Sequence, residues 1–456
     1  MKIMEGVLLA AASLLVIFVI LSRGRGRGLT YLSYGAVLLA FVQIAVESFR
    51  WQMIPAYVLC FFLAWGSLPL NKNREKKPGK TARVFFIAGM VLWVILLWLP
   101  PLLVPMVSWD KAAGKYEVGT VVKYWSDKSR TETLGERKGK ARELPVQIWY
   151  PANQNQGVVR KAPYIFGLNA AGGEMQRKYN IPTFLFSYLE NVSTYSELKA
   201  KPASGQFPVV LFSHGFPASR FNYTYLAEEM ASHGYVVVAM EHTYHSLITT
   251  LGDGRAASLV KTPSPVQLNA WDKIIDNIWS RDTSFILDQL EKVQAGTIQT
   301  PLKEKLDLTR IAVAGHSFGG ANAADSLMKD SRIKIGANLD GTFFGSQLQN
   351  NKLTKPFLYV TTKPIDHEKD IDMPPQKQLN DMNMSKEQFK HYAHEIKKRE
   401  EHALQKNTDH MVIKDAKHLS FSDIYLYSPV LGPSPEALHE KVRSSMVAFL
   451  DTNFKK

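Results

Sequence analysis

The chain has 456 residues, 46% of them hydrophobic, and a formal net charge of +14 at pH 7. Residues 1–106 hold eleven Lys and Arg against three acidic side chains, so much of the basic excess lies in the most apolar part of the chain. That placement argues against nucleic acid as a partner, and the single cysteine, Cys60, excludes an intramolecular disulfide framework.

Four apolar blocks open the chain: Val7–Leu21, Leu29–Val46, Met53–Leu70 and Val84–Met106. Each approaches the ~20 residues a helix needs to cross ~30 Å of hydrocarbon. Trp51, Trp65, Trp93, Trp98 and Trp109 fall mostly toward block ends, as interfacial anchors do. A secretory signal peptide is the rival for the first block, but Arg23, Arg25 and Arg27 follow that block and three more blocks come after it. Buried helices of a soluble core are the second rival, and those usually keep a polar face. The connection SRGRGRG carries three Arg and NKNREKKPGKTAR six Lys or Arg, against Arg50 in the second connection and Lys2 at the N-terminus. Placing both basic connections in the cytoplasm predicts a multi-pass membrane protein with four helices, its N-terminus outside and everything after Met106 extracytoplasmic.

Beyond a juxtamembrane linker the patterning changes. VGTVVKYWSD and ELPVQIWYPA read as an opening antiparallel pair. Short apolar runs follow, each trailed by turn residues and a helix-like segment: Phe207–Gly215, Gly234–His242, Arg310–Ser317, Ile335–Gly341, Lys355–Lys363 and His410–His418. Runs without alternation suit parallel strands buried on both faces. Their alternation with helices predicts an α/β doubly wound sheet. The expected division is a transmembrane region over 1–106, linker and first strand over 107–140, and a catalytic domain over 141–456 with a helical insertion at 376–407. The runs end in His214-Gly215, Glu241-His242, Ser317, Asp340 and His418, at the strand ends where ligands bind in open α/β sheets.

Gly315-His316-Ser317-Phe318-Gly319 follows an apolar strand and precedes Gly320, Ala321, Ala323 and Ala324, small residues that let a helix pack closely. This is the pattern of a serine lifted on a sharp strand-to-helix turn. Such a serine needs a base, and His418 in DAKHLSFSD directly follows an apolar run, whereas most other downstream histidines lie in the charged insertion. Two residues compete as the orienting carboxylate: Asp340, directly off the next strand, and Asp366, in the charged run KPIDHEKD. Asp340 is favoured. Backbone N–H donors for a developing oxyanion are expected from Phe318 and Phe216, since Pro217 has no N–H. His214 reads as a turn histidine supporting that loop. His242 and His245 read as crevice-wall residues rather than metal ligands, because no carboxylate or cysteine set clusters with them. No metal or cofactor is expected.

With VQIWYPA, FPVVLFSHGF, GYVVVAMEH, FILDQLEK, IAVAGHSFGGA, ANLDG and AKHLSFSD in order, Glu143 to Tyr427 resembles the plasma-type platelet-activating factor acetylhydrolases and their bacterial α/β-hydrolase relatives. The resemblance implies an α/β-hydrolase fold with Ser317 as nucleophile, Asp340 as acid, His418 as base, and Phe216 and Phe318 as amide donors. It also implies calcium-independent hydrolysis of esters with short or oxidised acyl chains, including phospholipid sn-2 esters. Phe216-Pro217 and Asp340-Gly341-Thr342 depart from the residues expected beside those positions, so acyl and head-group preference does not carry over. The reading is a membrane-anchored serine esterase acting on an ester or lipid substrate at a bilayer. Its rivals are an acyltransferase with the same triad and a non-catalytic membrane sensor. The insertion and the segment Ser246–Ala270 are read as lid or crevice wall, with a solvated surface helix as the alternative for the insertion.

Overall fold

The apolar blocks form four helices in the computed structural model, which describes residues 2–22, 27–68, 79–154, 160–363, 373–404, 408–431 and 436–455. They are α1 (Ile3–Leu21), α2 (Arg27–Glu47), α3 (Ile54–Gly66) and α4 (Lys80–Leu103). Among the described residues, three helices rather than the expected four are long and apolar enough to cross a membrane: Ile3–Leu21, Gly28–Glu47 and Lys80–Leu103. The third apolar helix covers only Trp51–Gly66, about 24 Å at ~1.5 Å per residue. It ends where the Ser67 N–H turns back onto the carbonyls of Leu63 and Ala64.

The chain divides into two compact units, one of Met1–Ser108 with Pro182–Val192 and Tyr425–Leu431, the other of the remaining residues. Within the first, Glu5 and Arg50 are fully buried and paired, with Arg50 Nη1 2.8 Å from both carboxylate oxygens. Arg50 Nη2 donates to the Val104 carbonyl at 2.8 Å. The Glu47 carboxylate accepts the N–H groups of Met4 and Glu5 at 2.8 and 3.0 Å. Charges withdrawn from water require such pairing. The cation of the second connection therefore ties the start of α1 to the end of α4.

The second unit carries β1 (Glu117–Thr131), β2 (Ala141–Ala152), β3 (Lys161–Pro163), β4 (Ser193–Leu198), β5 (Phe207–Ser213), β6 (Val236–Met240), β7 (Ile248–Thr250), β8 (Ala256–Ser258), β9 (Leu306–His316), β10 (Ile333–Leu339), β11 (Phe357–Thr361) and β12 (Thr408–Val412). Its helices are α5 (Leu168–Tyr179), α6 (Thr224–Ser232), α7 (Leu268–Ile274), α8 (Ser280–Gln294), α9 (Phe318–Lys329), α10 (Ser346–Asn350), α11 (Gln376–Asp381), α12 (Lys386–Ala403) and α13 (Glu436–Phe454). Ten strands form one sheet in the order β12-β11-β10-β9-β5-β6-β2-β1-β4-β3, and β7 pairs with β8. β1 and β2 are antiparallel, while the run from β12 to β6 is parallel throughout. Every residue of β5 and β6 is buried, which is why they are apolar without alternation. Val209, Leu211, Val236, Val238 and Val313 are fully buried in the core, each worth about 1.5–3 kcal/mol of transfer free energy.

After β5 the chain passes through α6 to β6 on one side, then returns to lay β9 against the other side of β5. The strand order reverses there, so a crevice opens between the carboxyl ends of β5 and β9.

Candidate active site

Ser317 stands between β9 and α9 at φ 56°, ψ −122°. A Cβ on Gly315 would fall 2.1 Å from the Gly319 carbonyl oxygen, and one on Gly319 would fall 2.2 Å from that of Ser213. Only glycines allow so sharp a turn here, and the turn presents the hydroxyl at the sheet edge. His418 Nε2 lies 2.9 Å from Ser317 Oγ, and His418 Nδ1 lies 2.8 Å from Asp340 Oδ2. A ring nitrogen facing a carboxylate carries the proton, so Nε2 is left to accept from the Ser317 hydroxyl. The other oxygen of Asp340 accepts the Thr362 N–H at 3.0 Å. Asp366 lies outside the described residues.

His418 does not end a strand as expected. β12 stops at Val412, a turn with Asp415 at φ 68° intervenes, and His418 opens a 3-10 turn over His418–Phe421. His410 lies inside β12, its Nε2 2.9 Å from Thr361 Oγ1.

Phe318 is the first residue of α9, so its N–H has no partner within the helix. The Gly215 carbonyl is held by the Ala218 N–H at 2.7 Å and by His214 Nδ1 at 2.9 Å. Because the peptide is planar and trans, the Phe216 N–H points away from those two donors. His214 is fully buried, and its Nε2 accepts the His242 N–H at 3.1 Å. Burial lowers its pKa.

His242 stacks on Trp279 at 3.8 Å between ring centroids, with Nδ1 2.9 Å from Asp282 and Nε2 3.2 Å from Ser213 Oγ. Arg142 grips both oxygens of Asp282 at 2.7 and 2.6 Å and reaches Glu132 at 2.7 Å. Desolvation opposes that ionised state, yet the Arg142 charge holds the Asp282 carboxyl well below the usual range. Burial pushes His242 and His245 down to about 3. Among the described residues, no group of three His, Cys, Asp or Glu side chains is arranged to hold a metal.

Aromatic rings wall the crevice beside Ser317. Trp271 meets Phe216 and Phe318 edge-on at 5.5 and 5.2 Å, and Phe318 meets Phe344 at 5.6 Å. Trp271 lies on α7, just past the segment read as a crevice wall. The charged insertion forms α11 and α12, and α12 is anchored: Arg399 Nη1 and Nη2 meet the buried Asp272 carboxylate at 2.7 and 2.9 Å. A cavity of about 190 Å³ behind Asp340 is lined in part by Tyr359, Ile396 and Glu400. Sequence reasoning missed Arg142, Asp282, Tyr223 and His316 as parts of this region. Only His316, inside the Gly-His-Ser-Phe-Gly stretch, carried any local signal.

Comparison with known proteins agrees with this architecture. A ferulic acid esterase from Streptomyces cinnamoneus superposes with a TM-score of 0.55 at 24% identity, covering 75% of this chain and 92% of that one, a likeness of fold alone. A probable 1-alkyl-2-acetylglycerophosphocholine esterase of Arthroderma benhamiae is 31% identical over 157 residues, 33% of this chain and 36% of the relative. The platelet-activating factor acetylhydrolase of Canis lupus familiaris is 27% identical over 261 residues, 50% of this chain and 54% of the relative. The chain thus matches about half or less of the length of these relatives. The family model of platelet-activating factor acetylhydrolase, isoform II, matches residues 104–434, and with that match spanning most of the chain, the protein belongs to this family.

Proposed function

We propose that the protein is a membrane-anchored serine hydrolase of carboxylic esters with short or lipid-like acyl groups, phospholipid sn-2 esters among them. The observation that carries this reading is the hydrogen-bonded line Ser317–His418–Asp340 at 2.9 and 2.8 Å. Ser317 Oγ attacks the ester carbonyl while His418 Nε2 takes its proton, and Asp340 stabilises the imidazolium that forms. The N–H groups of Phe216 and Phe318 receive the charge on the carbonyl oxygen. Collapse of the tetrahedral intermediate breaks the bond to the alkoxide, to which His418 returns the proton. Water activated by His418 then hydrolyses the acyl-enzyme.

The His418 side chain is 50% exposed, so water can reach the base, which favours hydrolysis over transfer to another acceptor. The activities by which the two relatives are named, an acetylglycerophosphocholine esterase and a platelet-activating factor acetylhydrolase, support an acyl ester of a phospholipid as substrate. The apolar helices α1, α2 and α4 would concentrate the enzyme at a bilayer, where such esters partition.

Ser317→Ala should lower p-nitrophenyl acetate turnover by about 10⁴-fold or more and remove labelling by a fluorophosphonate, with the melting temperature unchanged. Retained turnover in the purified variant would exclude Ser317 as nucleophile.

A further inference from the structure

Between the oxyanion loop and the loop of the base runs a line of buried polar atoms that the triad does not use. The Gly215 N–H donates to Tyr223 Oη at 2.8 Å, Tyr223 Oη lies 2.9 Å from His316 Nδ1, and His316 Nε2 lies 2.8 Å from the His418 carbonyl oxygen. Tyr223 and His316 are 1% and 3% exposed, so water does not compete for these bonds.

The direction of every proton follows from the partners. A carbonyl oxygen only accepts, so His316 Nε2 carries hydrogen. Burial holds the His316 imidazole neutral, its pKa well below the ordinary value. Its Nδ1 is therefore an acceptor, and the Tyr223 hydroxyl donates to it while accepting from Gly215. Each group is used in the one sense its neighbours permit. Gly215 is packed into the same line: a Cβ there would lie 2.9 Å from His316 Nδ1, 3.1 Å from Tyr223 Oη and 3.2 Å from Ser317 Cβ. Asp423, in the segment that follows His418, ties the far side of this frame. Its carboxylate accepts the N–H of Thr224, the neighbour of Tyr223, at 3.1 Å.

We propose that Tyr223 and His316 are positioning residues that set the backbone of the oxyanion donor Phe216 and the backbone of the base His418 in register with each other. The Gly215 N–H lies in the peptide just before the one that carries the Phe216 N–H, and the Gly215 carbonyl of that second peptide is held by Ala218 and His214, so fixing the glycine amide steadies the approach to the donor. The imidazole of His316, one residue before the nucleophile, holds the other end at the base. Breaking either bond frees both loops, which makes the pair act as one unit. This inference rests on the reading of Ser317 and His418 as nucleophile and base.

The test is a double-mutant cycle on the full-length protein with Tyr223→Phe, His316→Asn and their combination, read as kcat and KM on p-nitrophenyl acetate beside melting temperature. The shorter asparagine side chain can still accept from Tyr223 but cannot reach the His418 carbonyl. Each single variant should lower kcat about ten- to hundredfold with KM within about twofold, and the double variant should lose no more than about threefold beyond the worse single. Losses that multiply, or a loss confined to KM, would overturn the coupling. Should His316→Asn fail to fold, Tyr223→Phe decides alone: wild-type kcat in that variant ends the proposal. Ser317→Ala separates the two claims, since activity surviving there removes the triad reading, whereas an inactive Ser317→Ala beside a fully active Tyr223→Phe removes only the positioning pair.

Discussion

Asp340 takes a left-handed backbone, φ 54°, immediately after β10, and that turn aims one carboxylate oxygen at His418 and the other at the Thr362 amide. An amide at this position would present an N–H to His418 Nδ1 or accept with a neutral oxygen, and neither stabilises the imidazolium. Asp340→Asn should therefore cut kcat by about 10⁴-fold with little change in KM. Steady-state kinetics on p-nitrophenyl acetate decides it, and a loss below tenfold would shift attention to Asp366. Sequence brought Ser317, Asp340 and His418 together because each sits where an apolar run gives way to turn residues. Nothing comparable pointed to Asp282 and Arg142, which are 140 residues apart and meet only in the folded chain, one from α8 and the other from β2. A pair defined by packing leaves no local pattern.

At the scale of elements, strand existence was legible and strand length was not. The apolar run into His418 reads as one strand, but the register with β11 ends at Val412, and a positive-φ turn carries the chain to the histidine. Burial dictates composition in the centre of the sheet, so β5, β6 and β9 were plain. At the edge, hydrogen-bond geometry decides the boundary and composition does not record it. The same holds for α3, whose apolar block outruns its helix. The charged insertion illustrates a third case. Only Arg399 and Ala403 of α12 are buried, and Arg399 is buried against Asp272, which helical periodicity could not show. Removing Arg399 leaves Asp272 with the Gly345 N–H and Gln349 but without its counter-charge. Arg399→Met should cost about 3 kcal/mol in urea unfolding, and Arg399→Met with Asp272→Leu should recover most of it. A shift within error for the single variant would show that α12 is only draped on the surface.

For the whole molecule, the arrangement of charge around the apolar helices predicts an orientation. If the Arg-rich connection after α1 and the Lys-rich connection before α4 lie on one side, α2 and α3 together must cross the bilayer twice. α3 is short for this, but a short span is accommodated by local thinning at a cost of fractions of a kcal/mol per Å. The expected outcome is a catalytic unit outside the cell. In a Cys60→Ala background, a membrane-impermeant maleimide should label Lys303→Cys on intact cells and Ser22→Cys only after permeabilisation. The reverse pattern would place the α/β unit in the cytoplasm.

The histidines sealed beneath the crevice also limit the conditions the fold withstands. His245 Nδ1 accepts the Trp279 indole N–H at 3.1 Å, a bond that an imidazolium could not keep. Folded, this ring protonates only near 3, whereas in the unfolded chain it does so near 6.5. Its contribution is complete above about pH 6.5 and drains away as the medium is acidified toward 3, because the unfolded chain binds the proton first. Buried Glu228 and Asp423, whose pKa values are raised by desolvation, titrate with the opposite sign. The informative quantity is therefore the difference between wild type and His245→Asn, which keeps an acceptor for Trp279 and has nothing to titrate. Between pH 7 and 5 the wild-type melting temperature should fall more steeply than that of the variant, and parallel curves would show that this ring is not the weak point. A fold sealed around neutral imidazoles is thus suited to neutral surroundings and ill suited to an acidified compartment.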